Sequence, residues 1–306
     1  MPGSARLGQE RDAMEKLDIR KLNSAIGAEI IGFDANAPIE DHDWKLLSQT
    51  FDERAVLVFR DIDLSVAKQH QIVEILHTGG DLSAIENIDT ENFSCVSNKE
   101  EDGGAPYGRL LFHADMMWSE IANQTPSLWA IEAQQPSTPT IFTNNVHAWN
   151  TLPGDMKARL EGLSARHESG QQGRGDTDFE EQLIQPQWGK LNDTIKPMAL
   201  KHPRTGETML YICEQQTREI VGLPKAESNA LLDELYAHMY RPEVILAHYW
   251  QPHDLVIWDN MVAQHGRPYV EGGGSARTLR KIHAPYTAIK AYIRQMGGAP
   301  TYEKAM

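Results

Sequence analysis

Apolar residues in the first quarter of the chain fall into two strand-like runs, each followed by a helical one. In "IGAEIIGFD" (26–34) β-branched residues between glycines predict a strand and turn, and in "DWKLLSQTF" (43–51) Trp44, Leu47 and Phe51 recur at helical spacing. "RAVLVFRD" (54–61) reads as a short buried strand, and "LSVAKQHQIVEILH" (64–77) as a helix with Val66, Val73 and Leu76 roughly on one face. A loop-rich stretch follows, up to "NKEEDGGAPYG" (98–108). From Leu110 onward the pattern changes to short apolar runs between turn signals: "LLFHADMMW", "PSLWAIEA", "PTIFTNN", "TMLYI", "DLVIWDN" and "TLRKIHA". Helical spacing returns around Met156, Leu160 and Leu163 and around Leu231, Leu232, Leu235 and Met239. Many short strands with flanking helices predict a mainly β, α+β fold built on a sandwich or barrel.

Composition narrows what such a fold can do. The chain has 306 residues and a formal charge of −14, which disfavours nucleic acid and anionic membranes as partners while leaving room for a local basic pocket. Its two cysteines, Cys95 and Cys213, lack metal-ligand spacing, so a reducing, cytoplasmic setting is expected. No apolar run reaches membrane-spanning length, and the first residues lack the apolar core of an export signal. We expect residues 1–17 to be mobile, residues 18–306 to form one domain, and the glycine- and charge-rich "HESGQQGRGDTDFEEQ" (167–182) to be a surface loop or lid. A homodimer is left open.

The chemistry is concentrated in "LLFHADMMW". If the whole segment is one strand, His113 and Asp115 point to the same face and can reach one metal ion. An H-x-D pair alone is commonplace, its ordinary reading being a strand-end histidine and a solvated carboxylate. A third donor is available in His265, beyond the strand "DLVIWDN", where two distant strands of a jelly roll can meet. Two imidazoles and one carboxylate on one face form the facial triad that suits iron(II) and oxygen chemistry. His202, His248 and His253 read as structural or exposed.

These segments, "FHADMMW", "PTIFTNN", "HPRTGETMLY", "DLVIWDNMVAQH" and "RTLRKIHA", resemble in order and spacing the taurine dioxygenase family of iron(II)- and 2-oxoglutarate-dependent oxygenases, over roughly residues 18 to 290. The resemblance implies a double-stranded β-helix (jelly-roll) core, with His113, Asp115 and His265 as iron ligands and 2-oxoglutarate and O2 as cosubstrates. It implies that Thr140 and Arg280 hold the distal carboxylate of 2-oxoglutarate; Arg277, three residues earlier and so on the opposite face of a strand, is the rival. Ala284 then stands where the taurine enzymes carry the arginine for sulfonate, which argues against taurine. Arg109 and Gln216 replace an asparagine and an aromatic of those enzymes and are candidate substrate contacts. The implied activity is oxidation of a C–H bond in a small or medium polar molecule, with an amino acid derivative as the candidate, by hydroxylation unless substrate placement directs desaturation or another outcome. The rivals are a non-catalytic, metal-containing jelly-roll binding module and a zinc hydrolase, for which no general base is evident.

Overall fold

The computed structural model describes residues 17–38, 40–81, 92–100, 104–105, 107–169, 192–271 and 274–295. Two sheets dominate. The larger has the order β1 (Asp18–Lys21), β2 (Ala28–Ile31), β3 (Val56–Phe59), β14 (Leu255–Trp258), β6 (Thr125–Ala133), β16 (Arg277–Ala284) and β4 (Ser94–Ser97). The smaller has the order β13 (Leu246–His248), β7 (Thr140–Asn144), β15 (Ala263–Arg267) and β5 (Leu110–His113). Every pairing is antiparallel except that of β2 with β3.

The alternation of side chains explains why the central strands are apolar without interruption. In β14, Val256 and Trp258 face inward and meet Phe142, Ala263 and Leu246 of the smaller sheet, while Leu255 and Ile257 face outward. That outer face is covered by α1 (Asp41–Arg54) through Trp44, Leu47 and Phe51, and by α2 (Val66–His77) through Ile72, Val73 and Leu76. Ser65 caps α2, its side chain accepting from the Lys68 N–H. The central strands of the larger sheet are therefore buried on both faces, and an inward residue on them looks towards the smaller sheet.

A third layer packs beside the sandwich. It contains β8 (Ser164–Glu168), β9 (Asp193–Pro197) and β12 (Thr217–Ile220) as one small sheet, with α3 (Asn145–Asn150), α4 (Gly154–Leu160) and α5 (Lys225–Met239) joined to it by Leu160, Ala165, Leu210, Ile220, Leu231 and Leu235. β10 (Ala199–Lys201) and β11 (Thr208–Leu210) form a hairpin, and α6 (Tyr286–Gln295) follows β16. Of the expected loop at 167–182, His167 and Glu168 belong to β8 and Ser169 is buried; 170–182 lies outside the described residues, as do residues 1–16. Among the described residues no helix is long and apolar enough to cross a membrane.

β5 and β15, the strands that bear His113 and His265, approach closely at Gly266. A Cβ there would lie 2.9 Å from the Leu110 carbonyl oxygen, a backbone atom that cannot swing aside. Gly266→Ala should therefore push β15 from β5 and cost about 1–3 kcal/mol, as overpacking does elsewhere, read as a lowered Tm.

Candidate metal centre

His113, the last residue of β5, sits directly opposite His265 of β15 in the antiparallel register, with ring centroids 4.1 Å apart. The His113 Nδ1–H donates to the Leu111 carbonyl at 2.8 Å, which fixes the tautomer and leaves the Nε2 lone pair facing the site. Asp115 Oδ1 lies 3.8 Å from His113 Nε2 and 4.0 Å from His265 Nε2, and one donor atom from each of the three residues falls within 4.8 Å of the others. The three expected ligands are thus gathered in one place.

They are not gathered in the expected way. The strand ends at His113, and Asp115 stands in a turn whose next residue, Met116, has a φ of +56°. Strand alternation therefore does not aim Asp115. The chain bends because the Asn260 side chain, in the turn between β14 and β15, holds the Asp115 backbone, accepting from its N–H at 2.8 Å.

Burial alone would raise the Asp115 carboxyl, but the Lys281 ammonium, 2.6 Å from Oδ2, outweighs it together with His265 and His113, and the group is held well below the usual carboxylate range. Burial pushes both imidazoles down, His265 strongly, with Asp115 partly opposing the shift. The site presents two neutral imidazoles and an ionised carboxylate, without a thiolate. That donor set fits iron(II) with open coordination positions.

The faces of β16 set the two arginines apart. Arg277 and Arg280 do lie on opposite faces, but it is Arg280 that points away from the centre. Its Nε–H donates to Gln69 of α2 at 2.7 Å, its Nη2 to the Leu64 carbonyl, and its guanidinium lies 4.4 Å from the centroid of Trp129. Arg277 shares the inward face with Leu279, in the inner core, and Lys281, on Asp115. The residue four positions after the inward arginine is accordingly Lys281, a cation. Ala284 is buried in the outer core beside α1 and α2, so the argument against taurine that rested on it falls.

Arg267, two residues beyond His265 on the same strand, was not singled out by the sequence, although alternation from His265 would have found it. Its guanidinium donates to the carbonyls of Ala105, Tyr107 and Gly108, and that of Arg277 to the Thr138 carbonyl. Neither is paired with a carboxylate among the described residues. Burial lowers Arg267 to about 9, with the charge of Arg277 contributing, and Arg277 to about 10. Thr140 is buried on the inward face of β7 and accepts from the Trp250 indole N–H at 2.9 Å, leaving its own hydroxyl proton for another acceptor. Of the two expected substrate contacts, Arg109 is exposed just before β5, and Gln216 is buried with its backbone N–H on Cys213 Sγ at 3.3 Å. His202 and His248 lie 3.1 and 3.2 Å from Asp259 and Asp254, and His253 stacks on Trp129.

Residues 18–283 match the model of the taurine catabolism dioxygenase TauD, TfdA family. The chain belongs to this family. It is 27% identical over 290 residues to pentalenolactone F synthase of Streptomyces avermitilis, a match covering 87% of this chain and 93% of that protein. It is 27% identical over 269 residues to the alpha-ketoglutarate-dependent 2,4-dichlorophenoxyacetate dioxygenase of Cupriavidus pinatubonensis, covering 81% and 91% of the two chains. The crystal structure of AAD-2 in complex with Mn(II) and N-oxalylglycine superposes with a TM-score of 0.68 at 22% identity, over 88% of this chain and 98% of that one, which establishes a common fold. As a member of this family the protein is an alpha-ketoglutarate-dependent dioxygenase.

His113→Ala, Asp115→Ala and His265→Ala should each weaken Mn(II) or Fe(II) binding by more than the roughly 10–100-fold that outer-shell partners cost, since each removes a direct donor. Metal titration checks this, and a variant retaining wild-type affinity would remove that residue from the centre.

Proposed function

We propose that the protein is an iron(II)- and 2-oxoglutarate-dependent dioxygenase that oxidises a C–H bond of a small organic acid, amino acid derivatives included, with hydroxylation as the default outcome. The observation that carries this reading is the placement of two buried arginines, without carboxylate partners among the described residues, on the same inner faces as a His, Asp, His set. Buried guanidinium groups whose partners among the described residues are backbone carbonyls leave a charge to be answered, and a dicarboxylate cosubstrate answers it.

In this reading His113 Nε2, Asp115 Oδ1 and His265 Nε2 hold the iron. Bound iron, 2-oxoglutarate and O2 together supply the oxidising power, with succinate and carbon dioxide as coproducts. The chain positions and shields. Arg277 offers its planar fork to the distal carboxylate of 2-oxoglutarate, Thr140 donates its free hydroxyl proton to it, and Arg267 adds a second positive charge nearby. Phe142, Trp258 and Leu279 keep the inner side of the sandwich apolar and exclude water. The non-catalytic module has no use for the inward arginines.

Lys281 supports an acidic substrate once bound iron answers the charge of Asp115 in its place. It places an ammonium beside the metal-facing carboxylate, on the inward face and four residues after Arg277. The 2,4-dichlorophenoxyacetate dioxygenase acts, by its name, on a carboxylic acid. Gln216 and Arg109 complete the proposed substrate contacts.

Anaerobic addition of iron(II) and 2-oxoglutarate should give the weak visible charge-transfer band of a chelated keto acid, and its absence would remove the reading. Arg277→Ala should raise the apparent KM for 2-oxoglutarate by the equivalent of about 3–5 kcal/mol, the cost of leaving a buried carboxylate without its partner. Arg280→Ala should lower Tm and leave that KM in place; the reverse pattern would restore Arg280 as the cosubstrate arginine. In a turnover screen, aryloxy and amino acids should support succinate formation better than their neutral methyl esters, with Lys281→Met narrowing the difference. An equal response to acids and esters would separate Lys281 from substrate charge.

A further inference from the structure

Asp115 is the one member of the metal-facing set that no regular element carries. Its turn continues into Met116 at a φ of +56°, the left-handed region that side chains bearing a Cβ rarely adopt without an external hold. On the far side of the turn the Met116 carbonyl accepts from the Ser119 N–H and hydroxyl at 2.9 and 2.8 Å, and at Asp115 itself the backbone is held by the side chain of Asn260. Asn260 Oδ1 accepts from the Asp115 N–H at 2.8 Å, and its Nδ2 donates to the Asp115 carbonyl at 2.8 Å and to the Ala122 carbonyl at 2.9 Å. The backbone N–H of Asn260 donates to the Gln124 carbonyl at 3.1 Å. Asn260 is fully buried, and both amide protons and the amide oxygen are engaged.

Each contact has a consequence for aim. Gripping the backbone N–H and C=O of one residue from the same amide fixes the peptide planes on both sides of its Cα, and hence the direction of its Cβ. The bond to Ala122 gathers the far end of the same loop. Asn260 itself stands in the turn leading into β15, five residues before His265, and Asp259 steadies that turn, its Oδ1 accepting from the N–H groups of Met261 and Val262 at 3.0 and 3.1 Å. The carboxylate of Asp115 is thereby referenced to the strand that carries His265, while His113 is referenced to that strand by the β5–β15 register.

We infer that Asn260 is a positioning residue for the metal centre: it holds the strained Asp115–Met116 turn closed by a two-sided grip on the Asp115 backbone, and so sets the carboxylate at the distance from both imidazoles that metal binding requires. This rests on the reading of the His113, Asp115 and His265 set as a metal site. The role is distinct from general stabilisation, because relaxation of Met116 out of the left-handed region would swing the Asp115 side chain while leaving the sheets in place.

The test uses the full chain, Mn(II) as the probe and amide hydrogen exchange as a readout independent of turnover. Asn260→Ala should speed exchange at the Asp115 amide and weaken Mn(II) binding by roughly 10–100-fold, the range for groups that orient metal ligands. Ser228→Ala serves as the control: it removes another fully buried side-chain bond, from the Ile220 N–H at 2.8 Å, on α5, and should lower Tm while keeping Mn(II) affinity. In the Asn260→Ala background, Met116→Gly should recover part of the lost affinity, since glycine takes a positive φ without steric cost. Wild-type Mn(II) affinity in Asn260→Ala would overturn the inference alone, as would an equal loss in Ser228→Ala or no recovery in the double variant. Failure of the wild-type chain to bind Mn(II) would overturn both the inference and the metal-site reading.

Discussion

Asp115 is a carboxylate set into the inner side of an apolar sandwich, and the Lys281 ammonium 2.6 Å from Oδ2 makes that position tolerable. A charge taken out of water costs several kcal/mol unless it is paired at close range and hydrogen-bonded. Lys281 supplies the pairing from the larger sheet, while Asp115 hangs from the end of the smaller one. The contact therefore spans the two sheets at the point where the histidines meet. It also explains the protonation states: with its carboxylate ionised and its imidazoles kept neutral by burial, the set offers three lone pairs and no competing protons at neutral pH.

The same strand that provides Lys281 organises the rest of the site by parity. Along β16 the inward residues Arg277, Leu279 and Lys281 place a guanidinium, an apolar spacer and an ammonium in a row, and the outward residues Arg280, Ile282 and Ala284 bind the strand to the helical layer. Arg280 is as buried as Arg277, yet its partners are Gln69, the Leu64 carbonyl and the faces of Trp129 and Phe93. Its work is to join α2 to the sheet. Two arginines three residues apart in one strand thus have different surroundings because one peptide alternation separates them.

Positive charge at the inner end of the sandwich is reinforced by Arg267 on β15, which also ties the segment around Ala105, Tyr107 and Gly108 to the strand bearing His265. The proposed iron ligand His265 and Arg267, a loop anchor and proposed anion-binding cation, therefore lie within three residues of a single strand. Close packing there is enforced by Gly266, whose missing side chain lets the Leu110 carbonyl approach.

Much of this was legible in the order of residues. The 2.0 and 3.6 periodicities located β2, β3, α1, α2, α5 and the strands that carry the site, because burial on one face of a strand or helix leaves a local record in the sequence. The identities and separation of His113, Asp115 and His265 pointed to one ion for a related reason: the chemistry demands particular donor atoms, and few residue types supply them. What the order of residues left undecided was which way a strand faces when both of its faces are buried. Arg277 and Arg280 alternate whichever sheet face is inner, and only the packing of Leu279 against Phe142 and Trp258 assigns the inside. Nor could local pattern reveal that Asp115 leaves the strand, since the amide that turns the chain there belongs to Asn260, 145 residues away, and a contact between residues so far apart exists only once the two sheets have closed on each other.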